Sequence, residues 1–409
     1  MSMQKHLLIV GGATSYTPIA KKAGHKISLL LPAKKLANRK DLGLYDRIIT
    51  IPEKGTLEEW LGSAVLINQF DRIDAVGAFN EEAEFYAVAI AEKLGLPCSS
   101  RQLVELTHDK NAMRQVLKQH GLDDTASCVI TEDLVCGVEG FAEQYGYPVI
   151  IKPLNARGST GISIVRNKDE CAEGVAWFKK HAGNYSMLVE QFLEGTEWSV
   201  EAFSENGQHK IICITQKFKD SEHFVETGHC LPAFIPVEDE ISIKEYVNKI
   251  LTALGFTNGP SHTEIMLTRK GPRIIETHTR LAGDRITDLI RHVSGIDPDT
   301  LWVHQVMGQS IFSDIPVLNA TGNKFAAIHY SSVNTSGVLK QIVGVDDARA
   351  NQGVVEVDTL YHEGEELTGA FDSFSRGTSI IAVGESAEEA VKNARNAADK
   401  IRFIISCKS

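Results

Sequence analysis

The sequence predicts a mixed α/β chain, parallel α/β at its start and α+β further on. Three observations carry that reading. The first hundred residues alternate short apolar strands with helix patterns, the middle turns to strands joined by glycine-rich and charged turns, and the tail is strands and turns ending in a helix. At 409 residues the chain is too long for one simple core.

In order, "HLLIVGG" (6–12) is a short buried strand ending in glycines, "HKISLLLP" (25–32) is a second, and "IDAVGAFN" (73–80) a third. "EEAEFYAVAIAEKLG" (81–95) follows as an amphipathic helix that Gly95 closes. Such alternation implies a parallel sheet with helices packed on it. Gly11–Gly12 reads as a tight turn, because "GGATSY" lacks the G-x-G-x-x-G spacing of a dinucleotide site. "THDKNAMRQVLKQHG" (107–121) reads as one helix, and "PVIIKPLNARGSTGISIV" (148–165) as a strand, a loop rich in Gly and Ser, and a strand. "SMLVEQFLEGTEWSVEAFS" (186–204) gives two strands about Gly195, residues 255–280 a hairpin, and 284–309 helical segments. "AEEAVKNARNAADKIRFII" (387–405) is the final helix; there is no internal repeat or low-complexity linker.

A hydrophobic content of 43% with 23% charged residues is that of a globular protein. The net charge of −11 argues against a nucleic-acid or anionic-membrane partner, which would want a basic surface. It does not exclude nucleotides, which bind local basic groups and backbone N–H. Seven scattered cysteines without C-x-x-C point to reduced cytosolic thiols, not to disulfides or zinc. The apolar run in "MSMQKHLLIVGG" is too short for a signal-peptide core, and no stretch approaches a membrane span, so a cytoplasmic protein is expected.

The hairpin "HTEIMLTRKGPRIIETHTR" (262–280) carries the chemistry. A three-residue loop, Arg269–Gly271, with Gly271 left-handed and Pro272 opening the second strand, sets Glu264 opposite Glu276. His262, Glu264, Glu276, His278 and Arg280 then share one face, while Ile265, Leu267 and Ile275 turn to the core. Facing carboxylates repel, so one is protonated or both need a cation, and removing Glu276 should leave stability unchanged or raised. Carboxylates about a divalent cation that also holds phosphate oxygens are the usual Mg²⁺ arrangement.

Lys152 follows a buried apolar run, so its ammonium needs an anion or an exit to water. Gly158, Ser159 and Gly161 let backbone N–H groups turn toward phosphate, although a hairpin tip explains them equally well. "VEQFLEG" (189–195) offers backbone groups to an adenine edge, or is an edge strand.

Taken together, Lys110 in "THDK", Lys152 in "IIKP", "ARGSTGI", "VEQFLEGTEWSV", Glu264 and "ETHTR" resemble, in order and spacing, the ATP-grasp superfamily over most of the chain. "HFVETGHCLPA" (223–233) and "ETHTRLAGD" look most like the L-amino acid ligases, which join two unprotected amino acids at the expense of ATP. The resemblance implies an ATP-grasp fold: an N-terminal parallel α/β domain (1–105), a glycine-loop lid (106–195), a large subdomain with the Mg²⁺ site (196–310) and a biotin-carboxylase-like C-terminal lobe (311–409). It implies that Lys110 and Lys152 meet ATP phosphates under the 158–161 loop. Glu190, Gln191 and Leu193 would line adenine, and Glu197 would take the ribose hydroxyls. Glu264 and Glu276 would hold two Mg²⁺, for which Mn²⁺ substitutes. Arg280 would clamp the substrate carboxylate or the transferred phosphoryl group. Many superfamily members carry Asn where this chain has His278, which is therefore assigned to metal or substrate without a choice between them.

The expected reaction is acyl phosphate formation with release of ADP, then attack by an amine. Glu226 and His229 in "VETGH" could serve as orienter and base, and a surface loop with an incidental histidine reads equally well. Gly283 and Asp284 lie at the mouth of the expected site. Asp284 is placed to cap the helix that follows and, with Asp288, to favour a cationic amino acid such as arginine. A purine-synthesis carboxylate–amine ligase and a non-catalytic nucleotide-binding protein are the competing readings. The expected partners are amino-acid substrates, with neither nucleic acid nor membrane; a homodimer is compatible with the sequence.

Overall fold

The computed structural model describes residues 4–37, 39–155, 161–183, 185–220, 225–367 and 375–406. Its first layer is the expected parallel sheet. β1 (His6–Val10), α1 (Tyr16–Lys22), β2 (Lys26–Pro32), β3 (Arg47–Ile51), α2 (Leu57–Phe70), β4 (Ala75–Gly77) and α3 (Glu81–Leu94) place the strands in the order β3-β2-β1-β4. β1 is buried throughout, as its unbroken apolar run requires, whereas β3, which the sequence pattern did not single out, is largely half-exposed. The Gly11–Gly12 turn does have a steric reason. Gly11 has φ +83°, and a Cβ there would stand 2.2 Å from the Cβ of Ala83 on α3. Asn80 caps α3 by accepting from the Ala83 N–H, and Gly95 ends it left-handed.

The helix expected over 107–121 is two helices, α4 (Arg101–His108) and α5 (Lys110–Gln119). Asp109 breaks them apart, because its carboxylate accepts the N–H groups of Asn111 and Ala112, both at 2.9 Å. Lys110 therefore opens a new helix. The second sheet combines β5 (Ser127–Ile130), α6 (Leu134–Tyr145), β6 (Val149–Pro153), β7 (Ser163–Val165), α7 (Cys171–Ala182) and β8 (Met187–Gln191), with antiparallel order β5-β8-β6-β7. Val138, Phe141 and Ala142 of α6 and Val175 and Phe178 of α7 cover its apolar face. Gly158 and Ser159 lie outside the described residues.

The third and largest sheet begins immediately after Gly195. It takes β9 (Thr196–Glu205), β10 (Gln208–Lys219), β11 (Glu226–Leu231), then, past α8 (Val237–Leu254), the hairpin β12 (Gly259–Thr268) and β13 (Gly271–His278). After α9 (Ile286–Ser294) and α10 (Pro298–Val306) come β14 (Phe325–Ser332), β15 (Gly337–Val343), α11 (Val345–Arg349), β16 (Val354–Thr359), β17 (Glu366–Leu367), β18 (Arg376–Gly384), α12 (Ala387–Ala398) and β19 (Arg402–Ser406). The order β13-β12-β9-β10-β11-β14-β18-β16 is antiparallel throughout, and β17-β15-β19 form a small separate sheet. The sheet continues on both sides of the boundary expected at 310, which lies between α10 and β14: β14, β18 and β16 extend the strands that hold the hairpin. "RFII" is not the end of a helix but β19, paired with β15; Ile404 and Ile405 side by side suit a strand edge better than a helix terminus. Among the described residues no helix is long and apolar enough to cross a membrane.

Candidate active site

The hairpin sets the site. Its register is Glu264 opposite Glu276 and His262 opposite His278, as the sequence requires, but nearer the tip Ile265 faces Ile274 and Thr268 faces Gly271. The loop is therefore the two residues Arg269–Lys270, with Gly271 at φ +95°, and a bulge at Ile275 takes up the extra residue. In consequence Ile274, not Ile275, enters the core beside Ile265, while Ile275 lines the cavity. On the other side β12 pairs with β9, so that Ser199, Glu264 and Glu276 form one cross-strand row and Glu201, His262 and His278 the next.

Above this face lies a cavity of about 430 Å³ that also reaches the hinge between the second and third sheets. It brings together Lys110, Lys152, Glu190, Gln191, Leu193, Glu197, Glu226, His229, Glu264, Glu276, His278, Arg280, Gly283 and Asp284. Gly161 is described, with φ +71°, but is not among the residues that line the cavity.

The two facing acids do not depend on protonation. Lys217, unremarked in the sequence, projects from β10 and stands 2.7 Å from Glu264, 2.8 Å from Glu197 and 2.6 Å from Glu226. Burial raises the carboxyl of Glu264, but Lys217 and His262 outweigh it and hold it well below the usual carboxylate range. Lys110 does the same for Glu276 from 2.7 Å, with His278 at 3.2 Å. Of the two alternatives for facing carboxylates, the structure takes the second: each has its own ammonium.

At the hinge, Glu190 is buried on β8. Arg114 grips it at 2.5 and 3.2 Å, and Lys152 at 2.6 Å. Burial raises its carboxyl, yet Arg114 and Lys152 bring it to about 2, while burial in turn lowers the Lys152 ammonium. Arg114 continues to Asp123 at 2.7 Å and to the Ile274 carbonyl at 3.1 Å, tying hinge to hairpin. Since its side chain is engaged in this way, and its backbone pairs with Ser127 on one side and Ile150 on the other, Glu190 acts as a support for the hinge. Gln191 and Leu193 follow at the cavity wall, and Glu197 is held by Lys217 and, at 2.5 Å, by Lys219.

The far end of the cavity is a charged cluster. "ETGH" is not a surface loop but the start of β11, and His229 is buried with Nε2 3.5 Å from Glu226 and 3.3 Å from Asp284. Burial lowers the imidazole pKa, but Asp284 and Glu226 outweigh it and the net shift is upward. Asp284 does not cap α9: the cap position is Arg285 in a left-handed conformation, with no side-chain bond. The Asp284 carboxylate instead accepts from Arg376 of β18 at 2.8 Å, while Asp288 pairs with Arg285 and Arg291. The acidic rim expected to attract a cationic side chain is already neutralised. Arg280, two residues past the end of β13, has its Nε 3.3 Å from Glu81 of α3.

The donor set fits a divalent cation. Glu197, Glu226 and Glu264 offer oxygens within 4.8 Å of one another, with Lys217 against all three and Lys219 on Glu197, so a cation that displaced the ammonium groups would find a ready oxygen set. Sequence reasoning missed Lys217, Arg114, Arg376, Glu201 and Glu81. For Lys217 and Lys219 a signal existed: "ITQKFK" puts both on one face of a strand. Glu81 sits among the acids at a helix start, where acids are ordinary, and carried none.

The family description "ATP-grasp domain" matches residues 145–288, and "L-amino acid ligase C-terminal domain 2" matches residues 329–406. The fold superposes on the crystal structure of an L-amino acid ligase from Bacillus licheniformis with a TM-score of 0.82, covering 100% of both chains at 22% identity. Among curated proteins, the chain is 24% identical to the L-arginine-specific L-amino acid ligase of Bacillus subtilis over 64% of its own length and 65% of that protein's. It is 24% identical to human carnosine synthase 1 over 55% of its own length, and spans only 30% of that relative. The chain thus carries an ATP-grasp domain followed by an L-amino acid ligase C-terminal domain, and the named relatives it resembles are ligases and a synthase.

Proposed function

We propose that the protein joins two amino acids at the expense of ATP, through an acyl phosphate, with release of ADP and phosphate. The observation that carries this is the hairpin face, where Glu264 and Glu276 stand opposed, each on a lysine, with Arg280 two pleats beyond Glu276. A carboxylate acylates poorly because its leaving group is oxide; phosphorylation supplies a better one. Charge gathers on the transferred group, so fixed cations do most of the stabilising, and Lys110, Lys152, Lys217 and Arg280 line one cavity. Mg²⁺ held by Glu264 and Glu276, as two ions for which Mn²⁺ substitutes, would neutralise phosphate charge there.

In this reading Lys110 and Lys152 exchange their carboxylate partners for phosphates, Gln191 and Leu193 receive adenine, and Glu197 takes the ribose. Arg280 holds the substrate carboxylate, and Glu226 draws the incoming ammonium inward. The arginine-specific relative supports an amino-acid substrate. A cationic preference, if present, has to come from somewhere other than Asp284, because a substrate cation would have to displace Arg376. The purine-type alternative has less support, because it predicts a basic pocket for a ribose phosphate and the sequence offers no obvious one. The test is incubation with ATP, Mg²⁺ and amino-acid mixtures, with products identified by mass. Dipeptide with ADP is expected; AMP and pyrophosphate would refute the mechanism.

A further inference from the structure

We infer that two histidine–carboxylate relays orient the paired acids: Glu201–His262 behind Glu264, and Glu81–His278 behind Glu276. The inference rests on the reading of Glu264 and Glu276 as the cation-holding acids, and adds positioning residues that act through them.

The first relay is built within the sheet. His262 Nδ1 lies 2.9 and 3.1 Å from the two oxygens of Glu201, and its Nε2 lies 3.3 Å from Glu264. Ser199 fixes Glu201 in turn, donating from Oγ at 2.8 Å. Glu201 is 3% exposed and His262 6%, so neither is a solvated surface group. A buried carboxylate under a metal face is costly unless paired, and here its partner is the ring that reaches on to Glu264.

The second relay crosses between layers. His278 Nε2 is 3.2 Å from Glu276, and its Nδ1 is 2.5 Å from Glu81, the first residue of α3 in the parallel-sheet layer. The same Glu81 stands 3.3 Å from Arg280. One carboxylate therefore lies in ion-pair range of both the imidazole behind Glu276 and the guanidinium next to it. The two rings lie 6.0 Å apart and within 17° of parallel on paired strands, so the relays run side by side.

An acid on an open strand face must be ordered when its ligand arrives; an acid held from behind is ordered beforehand. Loss of such outer partners lowers metal affinity by about 10- to 100-fold. The test is Mn²⁺ binding to the full chain in the presence of ADP, read from the free-Mn²⁺ paramagnetic resonance signal, with ADP affinity without metal as control. His262→Leu should weaken Mn²⁺ binding by about 10-fold or more. His262→Gln, whose amide N–H still reaches Glu264, should restore most of it, and Glu201→Gln should fall between. ADP binding without metal should stay within about twofold of wild type, since the relay touches no nucleotide group in this reading. Equal Mn²⁺ affinity in wild type and a folded His262→Leu overturns the inference, and Glu201→Gln decides the matter should the leucine variant not fold. A wild type that binds no Mn²⁺ with ADP overturns the cation reading itself, and the relays with it.

Discussion

Glu276→Gln separates a structural argument from a purely local one. Facing carboxylates taken alone predict that removing one leaves the stability of the free protein unchanged or raised. In the structure Glu276 is 2.7 Å from Lys110, whose side chain is only 12% exposed, and 3.2 Å from His278. Burial raises the Glu276 carboxyl, yet Lys110 and His278 hold it well below its ordinary value. A depressed folded pKa means stability that is present above the unfolded pKa and lost as pH falls through the folded one. Glutamine removes that contribution at neutral pH and strands a buried ammonium. Breaking a buried pair from one side costs about 3–5 kcal/mol. Glu276 is 21% exposed, Glu190 and Glu264 still attract Lys110, and a repulsion with Glu264 is relieved, so about 2 kcal/mol is expected. The assay is denaturation of the metal-free protein in chelator, as a double-mutant cycle with Lys110→Met, whose coupling should be about 1–2 kcal/mol. A Glu276→Gln protein as stable as wild type, or a cycle without coupling, would refute the reasoning.

Three more outcomes are expected. Glu84, on α3, accepts from Thr279 at 2.7 Å, and burial raises its carboxyl to about 7. A raised folded pKa on an acid lowers stability as pH rises from about 4.5 to about 7, so Glu84→Gln should melt higher than wild type at pH 8 and lose that slope. Glu190→Gln should leave Arg114 and Lys152 underpaired in the core and cost about 3–5 kcal/mol, seen as low soluble yield or a large drop in melting temperature; near-wild-type melting would contradict the hinge assignment. Asp284→Asn should cost about 1–3 kcal/mol by loosening Arg376 and leave the arginine-to-leucine ratio of ADP-release rates unchanged. A lower ratio at unchanged stability would restore the role in substrate choice that the Arg376 contact argues against.

The hairpin shows why part of this site was legible and part was not. Period-two patterning put His262, Glu264, Glu276 and His278 on one face, and that held because side-chain alternation is a property of any strand. The loop was read one residue too long, and the bulge at Ile275 was not foreseen; the two errors cancel at Glu264–Glu276 and survive only toward the tip. Pattern assigns faces but not neighbours. Lys217 reaches Glu264 because β9 lies between β12 and β10, and Glu81 reaches His278 because a different layer packs against the strand end. Asp284 makes the point most sharply. Its local sequence, an acid before a helix, argued for a cap and a cation-selecting rim, yet its partner Arg376 lies 92 residues away. β18 joins the sheet beside β14, and β14 beside β11, so the arginine arrives through the strand order. Cap chemistry then yields to the stronger claim of a buried guanidinium on the nearest carboxylate oxygen. The same continuity of the sheet past residue 310 therefore gives the C-terminal strands a direct part in the electrostatics of the cavity.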